Sequence, residues 1–497
     1  MGPGLRIMRL NTLEGKDANN PRMTDLLTTV SDHLQARYLS ACGDKLFPWR
    51  KSWLSTGQSR VSSYQECRMS RVFEPSEING LSLANRFVRS ATWEGLATDG
   101  GECSPRLLEV MSKLADGGVG LIITGHAYVR ADGKHSERQL GIHRDELISG
   151  LQEMVRAVHK RGAKIVVQLA HGGAYLSRSR LEKMTAEDIH ELASAFGRAA
   201  VRAGMAGFDG VQIFAAHGFL LSQFLCPRYN HRADEYGGDI RNRARALLEV
   251  LQSVRGMVGR EYPIFVKLNS SDLVEDGLTL EDSLRVGVML EEGGTDAIEL
   301  SGGLLNLPDL LRKKMEDEED EAYFGAEARV FREKIRVPLI LVGGIRSYQV
   351  AEKLVQEGVA DYISMSRPLI REPDLVNRWK AGDIRKAACI SCNNCVEQVK
   401  KGEGVNCLPL EEDPGDAFFP QVSVMVPASP PYPPGTNYKV AIGLDQWGSS
   451  YIPAIKIQLV HNEKISKRIP SFPLGSEDHS AVAKAMDDLL RKYKTNP

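Results

Sequence analysis

Four of the eight cysteines of this chain fall between positions 389 and 407 with the spacing Cys-x2-Cys-x2-Cys-x11-Cys. They are Cys389, Cys392, Cys395 and Cys407. Four closely spaced thiolates suit a [4Fe-4S] cluster or a zinc ion. Such crowding is more typical of a metal site than of a disulfide framework, although a reduced segment without metal is a third interpretation. The spacing predicts a metal site and leaves the metal open.

A second candidate is His217, in the stretch QIFAAHGFLLSQF, where a buried strand passes into a helix. A histidine at such a junction is either packed in the core or able to bind a ligand. Its aromatic neighbours, Phe214 and Phe219, cannot donate a hydrogen bond. The residues by themselves leave both interpretations of His217 open.

The elements that must position these residues alternate between short apolar runs and amphipathic helices. One helix is expected to start at Thr185, with Asp188 three residues on as its capping partner. The apolar runs are 86–91, 120–126, 164–171, 210–217, 264–270, 296–303, 339–344 and 361–367. Eight nearly continuous apolar runs separated by helices predict parallel strands closed into an α/β (β/α)8 TIM barrel over 71–388.

In such a barrel the chemistry lies at the carboxyl ends of the strands. Gly343 and Gly344 end the seventh run, and Ser366 and Arg367 end the eighth. Backbone amides and a guanidinium there suit a phosphate, although the glycines are also explained by tight turns. The third and fifth runs end near Gln168 and Lys267, an amide and a cation able to bind the edge of a heterocycle and stabilise negative charge on it.

Several of these stretches together resemble the old yellow enzyme family of FMN-dependent oxidoreductases. The matching segments include LANRFVRSAT, VVQLAHGG, FLCPRYNHRADEYGGDIRNR and ADYISMSRPLIREPDL, in the family's order. The resemblance implies bound FMN with NAD(P)H as electron donor. It further implies that Ala91 and Thr92 line the flavin. By the same resemblance Gln168 and Lys267 meet its pyrimidine edge, and the glycines with Ser366 and Arg367 take its phosphate.

The chain also departs from the family pattern. Phe214 stands where the family usually has a histidine, and Phe219 where it has the tyrosine that supplies a proton, so ordinary enone reduction is in doubt. By the resemblance His217 grips the substrate, and Trp93 enters the pocket where a small residue is common. Some members carry four cysteines after the eighth strand that hold an iron–sulfur cluster, which passes electrons to FMN. The gap between the second and third cysteine is one residue shorter here than in those members.

Composition limits the partners and the location. With 63 basic and 64 acidic side chains, the formal charge of −1 offers no field for nucleic acid. No run of eighteen apolar residues and no apolar signal core are visible, so we expect a cytoplasmic chain without a membrane segment. The expected partners are a small-molecule substrate, an electron-transfer protein and, as a further option, a second copy of the chain in a homo-oligomer.

The remaining segments organise the chain around the barrel. Residues 1–70 are interpreted as an N-terminal extension, partly disordered. A four-cysteine segment, 389–407, and a proline-rich linker, 408–436, follow the barrel, and 437–497 form a small α+β domain. The leading function is an FMN-dependent oxidoreductase acting on a small electrophilic or unsaturated molecule. The alternatives are an amine-type dehydrogenase that passes electrons from FMN to a metal cluster, and a flavin redox carrier or sensor without catalysis.

Overall fold

The computed structural model describes residues 70–173, 180–307, 318–408, 418–447, 450–461, 464–465, 472 and 476–495. Nearly all of the predicted N-terminal extension lies outside these ranges. The chain divides into two compact units, and the larger one spans 64–410. Within the described residues, no helix is both long and apolar enough to cross a membrane.

The larger unit is a closed parallel barrel. Its strands, with a hairpin and a short extra strand, are β1 (Ser76–Ile78), β2 (Leu81–Leu83), β3 (Phe87–Arg89), β4 (Leu121–Ile123), β5 (Ala127–Tyr128), β6 (Lys164–Ala170), β7 (Val211–Ala215), β8 (Ile264–Asn269), β9 (Ala297–Ser301), β10 (Leu339–Val342) and β11 (Tyr362–Met365). The order around the barrel is β4-β3-β11-β10-β9-β8-β7-β6, and β4 pairs back onto β6. The predicted (β/α)8 barrel is confirmed, with one strand in each of the eight predicted runs.

Helices cover the outside of the barrel and follow its strands. The α-helices of this unit are α1 (Pro105–Asp116), α2 (Ile148–His159), α3 (Arg180–Lys183), α4 (Ala186–Ala206), α5 (Leu220–Leu225), α6 (Ile240–Val258), α7 (Leu280–Glu292), α8 (Gly325–Lys334), α9 (Tyr348–Gln356), α10 (Arg367–Arg371), α11 (Leu375–Lys380) and α12 (Asn394–Lys400). The start of α4 confirms the predicted cap: the Thr185 side chain accepts from the Asp188 amide, and the Asp188 carboxylate accepts from the Thr185 amide.

The barrel interior is built in layers because alternate residues of a strand face inward. The lower layer is apolar and packs against the buried hairpin β1–β2, which the sequence analysis did not foresee. It contains Val88, Val166, Phe265, Ala297 and Tyr362. Two residues further along the same five strands stand Ser90, Gln168, Lys267, Glu299 and Ser364. The alternation therefore turns the apolar interior into a polar one at the carboxyl ends of the strands.

The smaller unit contains a four-stranded antiparallel sheet, β12 (Phe418–Pro427), β13 (Thr436–Trp447), β14 (Ser450–His461) and β15 (Lys464–Ile465), and a helix, α13 (Asp478–Thr495). Tyr438, Leu459 and Leu490 contribute to its core. The interpretation of 408–436 as a linker is wrong for Phe418–Pro427, because this segment pairs with β13 along most of its length. Alternating apolar residues such as Val422, Val424 and Val426 explain why it forms a strand although it contains Pro420, where the register shifts, and ends at Pro427.

Candidate functional site

A cavity of about 420 Å³ opens at the carboxyl ends of the barrel strands. Every predicted site residue lines it except Cys392 and Cys407. The lining residues from that set are Ala91, Thr92, Trp93, Gln168, Phe214, His217, Phe219, Lys267, Gly343, Gly344, Ser366, Arg367, Cys389 and Cys395. The volume lies in the range of small-molecule and cofactor sites. The structure thus brings into one site residues that are far apart along the chain.

A buried polar network, which we call the polar layer, lies at the floor of this cavity: Ser90, Gln168, Lys267 and Ser364 line the cavity, and Gln212 and Glu299 lie behind them. The Lys267 Nζ lies 2.9 Å from the Ser90 hydroxyl and 3.3 Å from a Glu299 carboxylate oxygen. Gln168 donates to Gln212 at 2.7 Å, and Gln212 donates to Glu299 at 2.8 Å. Lys267 is 4% exposed and Glu299 is fully buried. The two groups are therefore a buried ion pair within a hydrogen-bonded network.

Glu299 was not among the predicted site residues, yet it is the centre of the polar layer. One carboxylate oxygen accepts the hydroxyl groups of Ser90 at 2.7 Å and Ser364 at 2.8 Å, and the other accepts from Gln212. Burial by itself would raise the pKa of Glu299, but the Lys267 charge and these donors lower it below its ordinary value. The carboxyl group is therefore ionised, which is the form that pairs with a lysine.

The ends of β10 and β11 form a different side of the cavity. Gly343 has a φ of +142°, and a Cβ on it would lie 2.7 Å from the Phe324 ring, so only glycine fits there. Gly344 also has a positive φ, +74°. The Thr92 and Ser366 hydroxyl groups are 2.8 Å apart, and Arg367 opens helix α10 beside them. Close backbone approach and a cation at this edge are the features expected of a phosphate site.

A third side of the cavity, around Phe214 and Phe219, is mainly apolar. These two rings and those of His126 and His135 form what we call the aromatic wall. The ring centroids of Phe214 and Phe219 are 4.5 Å apart, and each histidine ring lies 5.0 Å from the Phe219 ring. Phe214 and Phe219 are 6% and 2% exposed. The aromatic wall therefore offers a mainly apolar surface of tilted rings to whatever enters the cavity.

His217 borders the aromatic wall but is already hydrogen-bonded through both ring nitrogens. Its Nδ1 lies 3.0 Å from the Gly303 carbonyl, and its Nε2 lies 3.1 Å from the Ser301 hydroxyl. A carbonyl only accepts, so Nδ1 carries a proton and donates it to Gly303, while Nε2 shares a hydrogen bond with the Ser301 hydroxyl. The backbone of His217 is left-handed, with a φ of +58°. This uncommon conformation at a cavity is typical of a residue fixed for function.

His126 and His135 are the polar groups of the aromatic wall that the sequence analysis missed. Burial, and then the neighbouring His135, lower the pKa of His126 to about 3, so the ring is neutral at physiological pH. Its Nε2 is buried with no hydrogen-bond partner in the described part of the chain. The position of His126 at the end of the second apolar run was a usable signal, because strand ends face the cavity. His135 lies in the loop beyond β5, where no sequence pattern marked it.

The cysteine segment packs against the loop that follows β3. Arg367 donates to the Asn393 side chain at 2.8 Å, and the Val405 amide donates to the Glu94 carbonyl at 2.7 Å. Glycine at 95 permits this contact, since a Cβ there would lie 2.7 Å from Val399 of α12. The cysteine segment therefore forms part of the cavity wall.

Within that segment the four thiols influence one another. Burial raises the pKa of Cys395, and the neighbouring Cys389, Cys407 and Cys392 raise it further, while Arg367 opposes them. Across the described ranges, no group of three or more His, Cys, Asp or Glu side chains has the geometry of a metal site. A metal at the four cysteines stays a prediction, and the donor set fits it because thiolates bind both iron–sulfur clusters and zinc.

Comparison with known proteins identifies the barrel. Residues 71–183 and 177–385 match the model of the NADH:flavin oxidoreductase / NADH oxidase family. An NADH oxidase of Thermoanaerobacter brockii is 35% identical over 347 residues, which cover 65% of this chain and 52% of that protein. A 4,4'-dithiodibutanoate disulfide reductase of Rhodococcus erythropolis is 31% identical over 385 residues, 67% of this chain and 93% of that protein.

A solved structure shows the same architecture. The 6-hydroxypseudooxynicotine amine oxidase of Pseudomonas geniculata N1 has a TM-score of 0.61 and 27% identity, over 68% of this chain and 53% of that one. The chain thus spans about half the length of that oxidase and of the Thermoanaerobacter protein. Because the family model covers most of the barrel, including both the polar layer and the strand ends around it, the chain belongs to the NADH:flavin oxidoreductase / NADH oxidase family.

Proposed function

We propose that this chain is an FMN-dependent oxidoreductase that takes electrons from NAD(P)H and reduces a small electrophilic or unsaturated molecule. The observation that carries the proposal is the single cavity in which the Lys267 side chain, the open backbone at Gly343 and Gly344, and Arg367 meet. These groups offer a cation for a heterocycle edge and a separate site for a phosphate. Family membership supports the same cofactor.

Different residues of the cavity would bind different parts of FMN. Gln168 and Lys267 would hold the pyrimidine edge, and Lys267 would stabilise negative charge that develops there. Ser366, Arg367 and the amides after β10 would hold the phosphate, with Ala91 and Thr92 along the flavin and Trp93 beside it. When bound, FMN supplies hydride transfer. The aromatic wall would exclude water from the face on which a substrate stacks.

The residues that would donate a proton to the substrate and polarise its carbonyl group differ from those usual in the family. Phe214 and Phe219 supply neither a carbonyl donor nor an acid, and His217 donates its Nδ1 proton to the Gly303 carbonyl. To polarise a substrate, His217 would have to exchange its bond to Ser301 for one to the substrate and carry a proton on Nε2. His126 and His135 are the nearby rings able to join it. We infer that the substrate is planar and apolar apart from one hydrogen-bonding group.

The cofactor is tested by purifying the chain and identifying its flavin. We expect FMN, because a terminal phosphate fits the β10 and β11 ends. Arg367→Ala should release it, while Lys353→Ala, at an exposed position on helix α9, should retain it. Recovery of FAD, or of no flavin after reconstitution, would contradict the proposal.

A second candidate function is an amine-type dehydrogenase in which electrons leave FMN through a metal cluster to a protein acceptor. It is favoured by the cysteine segment, since Cys389 and Cys395 line the same cavity as the proposed flavin. The amine oxidase with the same fold gives further support. In this scheme the metal relays electrons, as iron–sulfur clusters do, whereas zinc would leave the segment a structural role.

The metal is tested by element analysis of anaerobically purified protein. Replacing Cys389, Cys392, Cys395 or Cys407 by alanine should each remove most of the metal. Cys226→Ala is the matched control, because Cys226 is a buried free thiol outside the segment. Equal metal content in all five variants would reject a four-thiolate site, and stoichiometric zinc without iron would reject electron transfer through it.

A redox carrier or sensor without catalysis is the alternative from another class. Steady-state assays separate it from both enzymes: a carrier would be reduced and reoxidised by a protein partner but would turn over no small molecule. Rapid oxidation of NAD(P)H coupled to reduction of a small electrophile would support the leading proposal. Turnover of an amine with a protein acceptor would support the second.

A further inference from the structure

The polar layer contains a charge that the family resemblance does not explain, the carboxylate of Glu299. This residue does not line the cavity; it lies behind Lys267, fully buried, on the neighbouring strand β9. The register of the barrel pairs Lys267 with Glu299 across β8 and β9, which brings the Lys267 Nζ to 3.3 Å from the carboxylate. Any molecule that contacts Lys267 therefore also experiences the negative charge directly behind it.

The surroundings of Glu299 compensate its charge in part. Three neutral groups, Ser90, Ser364 and Gln212, donate to the carboxylate at 2.7–2.8 Å, and Lys267 is its paired cation. The pair has no formal net charge. A buried ion pair of this kind is weak evidence for stability, because desolvation of both charges opposes their attraction. A role in setting the charge of the site explains its presence better.

We propose that Glu299 sets the charge at the flavin edge of the cavity: it holds the Lys267 ammonium in place and offsets its positive charge, so that FMN is harder to reduce there than beside an unpaired lysine. The inference rests on the proposed function, in which Lys267 meets the pyrimidine edge of FMN. Reduced flavin gains negative charge at that edge, and charges near it tune the reduction potential. Glu299 is thus a positioning residue that acts through Lys267.

The test is the two-electron reduction potential of bound FMN in the parent protein and in Glu299→Gln. The substitution keeps the shape of the side chain and one acceptor oxygen but removes its charge, which leaves the Lys267 charge uncompensated. We expect reduced FMN to be stabilised at least about tenfold relative to oxidised FMN, a positive shift of about 30 mV for a two-electron couple. The affinity for sulfite, which adds to oxidised flavin and places negative charge at the same edge, should rise in parallel.

Two variants control for loss of packing. Glu299→Asp keeps the charge and should leave the potential near the parent value. Glu352→Gln removes another buried carboxylate, one that accepts from the Arg71 and Val72 amides and does not line the cavity. It should leave the potential unchanged. A merely structural role for Glu299 would lower stability in the Glu299 variants without moving the potential.

If Glu299→Gln fails to fold, Gln212→Leu provides the second test, because it keeps the ion pair and removes one donor from the carboxylate. The less compensated negative charge should then lower the potential, by a few-fold in the ratio of reduced to oxidised FMN. An unchanged or oppositely shifted potential in either variant, with FMN bound, would overturn the inference alone. A parent protein that binds no FMN would overturn the proposed function and the inference with it.

Discussion

The polar layer and the aromatic wall are two sides of one cavity with opposite designs. In the polar layer, Glu299 accepts a hydrogen bond from Gln212 at 2.8 Å and lies 3.3 Å from the Lys267 ammonium group. In the aromatic wall, the contacts are between rings, and the buried Nε2 of His126 has no partner among the described residues. A fully paired network suits a group that is always the same, such as a cofactor edge. A ring surface with unused polar atoms suits a variable substrate.

The largest loss of stability is expected when one charged member of the polar layer is removed. Lys267→Met leaves the Glu299 carboxylate buried without its cation, and we expect the free energy of unfolding of the barrel to fall by about 3–5 kcal/mol. The double variant Lys267→Met/Glu299→Met should recover most of this loss, because it removes both charges. Chemical denaturation measures the effect. A single variant that costs less than about 1 kcal/mol would show that the pair is not held as the structure indicates.

Lowering the pH should test the aromatic wall, because the pKa of His126 differs between the folded and the unfolded chain. The pKa of His126 is about 3 in the folded protein against 6.5 for the free side chain, so between these values the unfolded chain binds the proton and the folded one does not. Stability therefore falls as the pH falls through this window, by about 1.4 kcal/mol per pH unit. His126→Phe keeps a ring beside Phe219 and removes the titration. Between pH 8 and pH 5, we expect the free energy of unfolding of this variant to fall by about 2 kcal/mol less than that of the parent protein.

The comparison at pH 8 is the internal control for that variant. His126 is neutral there in both the folded and the unfolded states, so the parent and His126→Phe should differ only through packing. Chemical denaturation at pH 8 and pH 5 gives both values. An equal difference in stability at the two pH values would contradict the buried, neutral state of His126.

The smallest expected effect is a gain of function in the aromatic wall. The double change Phe214→His/Phe219→Tyr restores a carbonyl donor and a proton donor, and it should raise turnover of a simple cyclic enone by at least about tenfold. Each single change should gain less, because the two groups act on different atoms of the substrate. High enone turnover by the parent protein, unaffected by these changes, would show that Phe214 and Phe219 do not limit the reaction.

Much of the site could be predicted because the apolar runs in the sequence show where the strands end. The runs ending near Gln168, Lys267, Gly343 and Arg367 contribute to the cavity as expected, since a parallel barrel brings all its carboxyl ends to one face. Glu299 was missed although it stands two residues after Ala297 on an inward-facing row. The alternation alone would have placed it inside, but an acidic residue in an apolar run gives no indication of its partner.

The C-terminal unit shows a different limit. Prolines near 408–436 indicated a linker, yet Phe418–Pro427 forms a strand. Proline cannot donate a hydrogen bond in a ladder, but Pro420 lies at a shift in the register and Pro427 at the end of the strand, so the other residues of this segment still pair. The prediction gave the proline content more weight than the alternation of apolar residues. In the folded chain, pairing with β13 makes this segment a strand in spite of its prolines.

The sequence by itself determined the barrel, its strand ends and the residue types that face the cavity, because these depend on local periodicity. Only the tertiary structure decided which of those groups are engaged. His217 is bonded to Ser301 and Gly303, and Lys267 is paired with Glu299. His126, by contrast, lies against Phe219 with its Nε2 unbonded within the described residues. These partners come from different strands and loops, and strand tilt and register around a closed barrel set which of them meet.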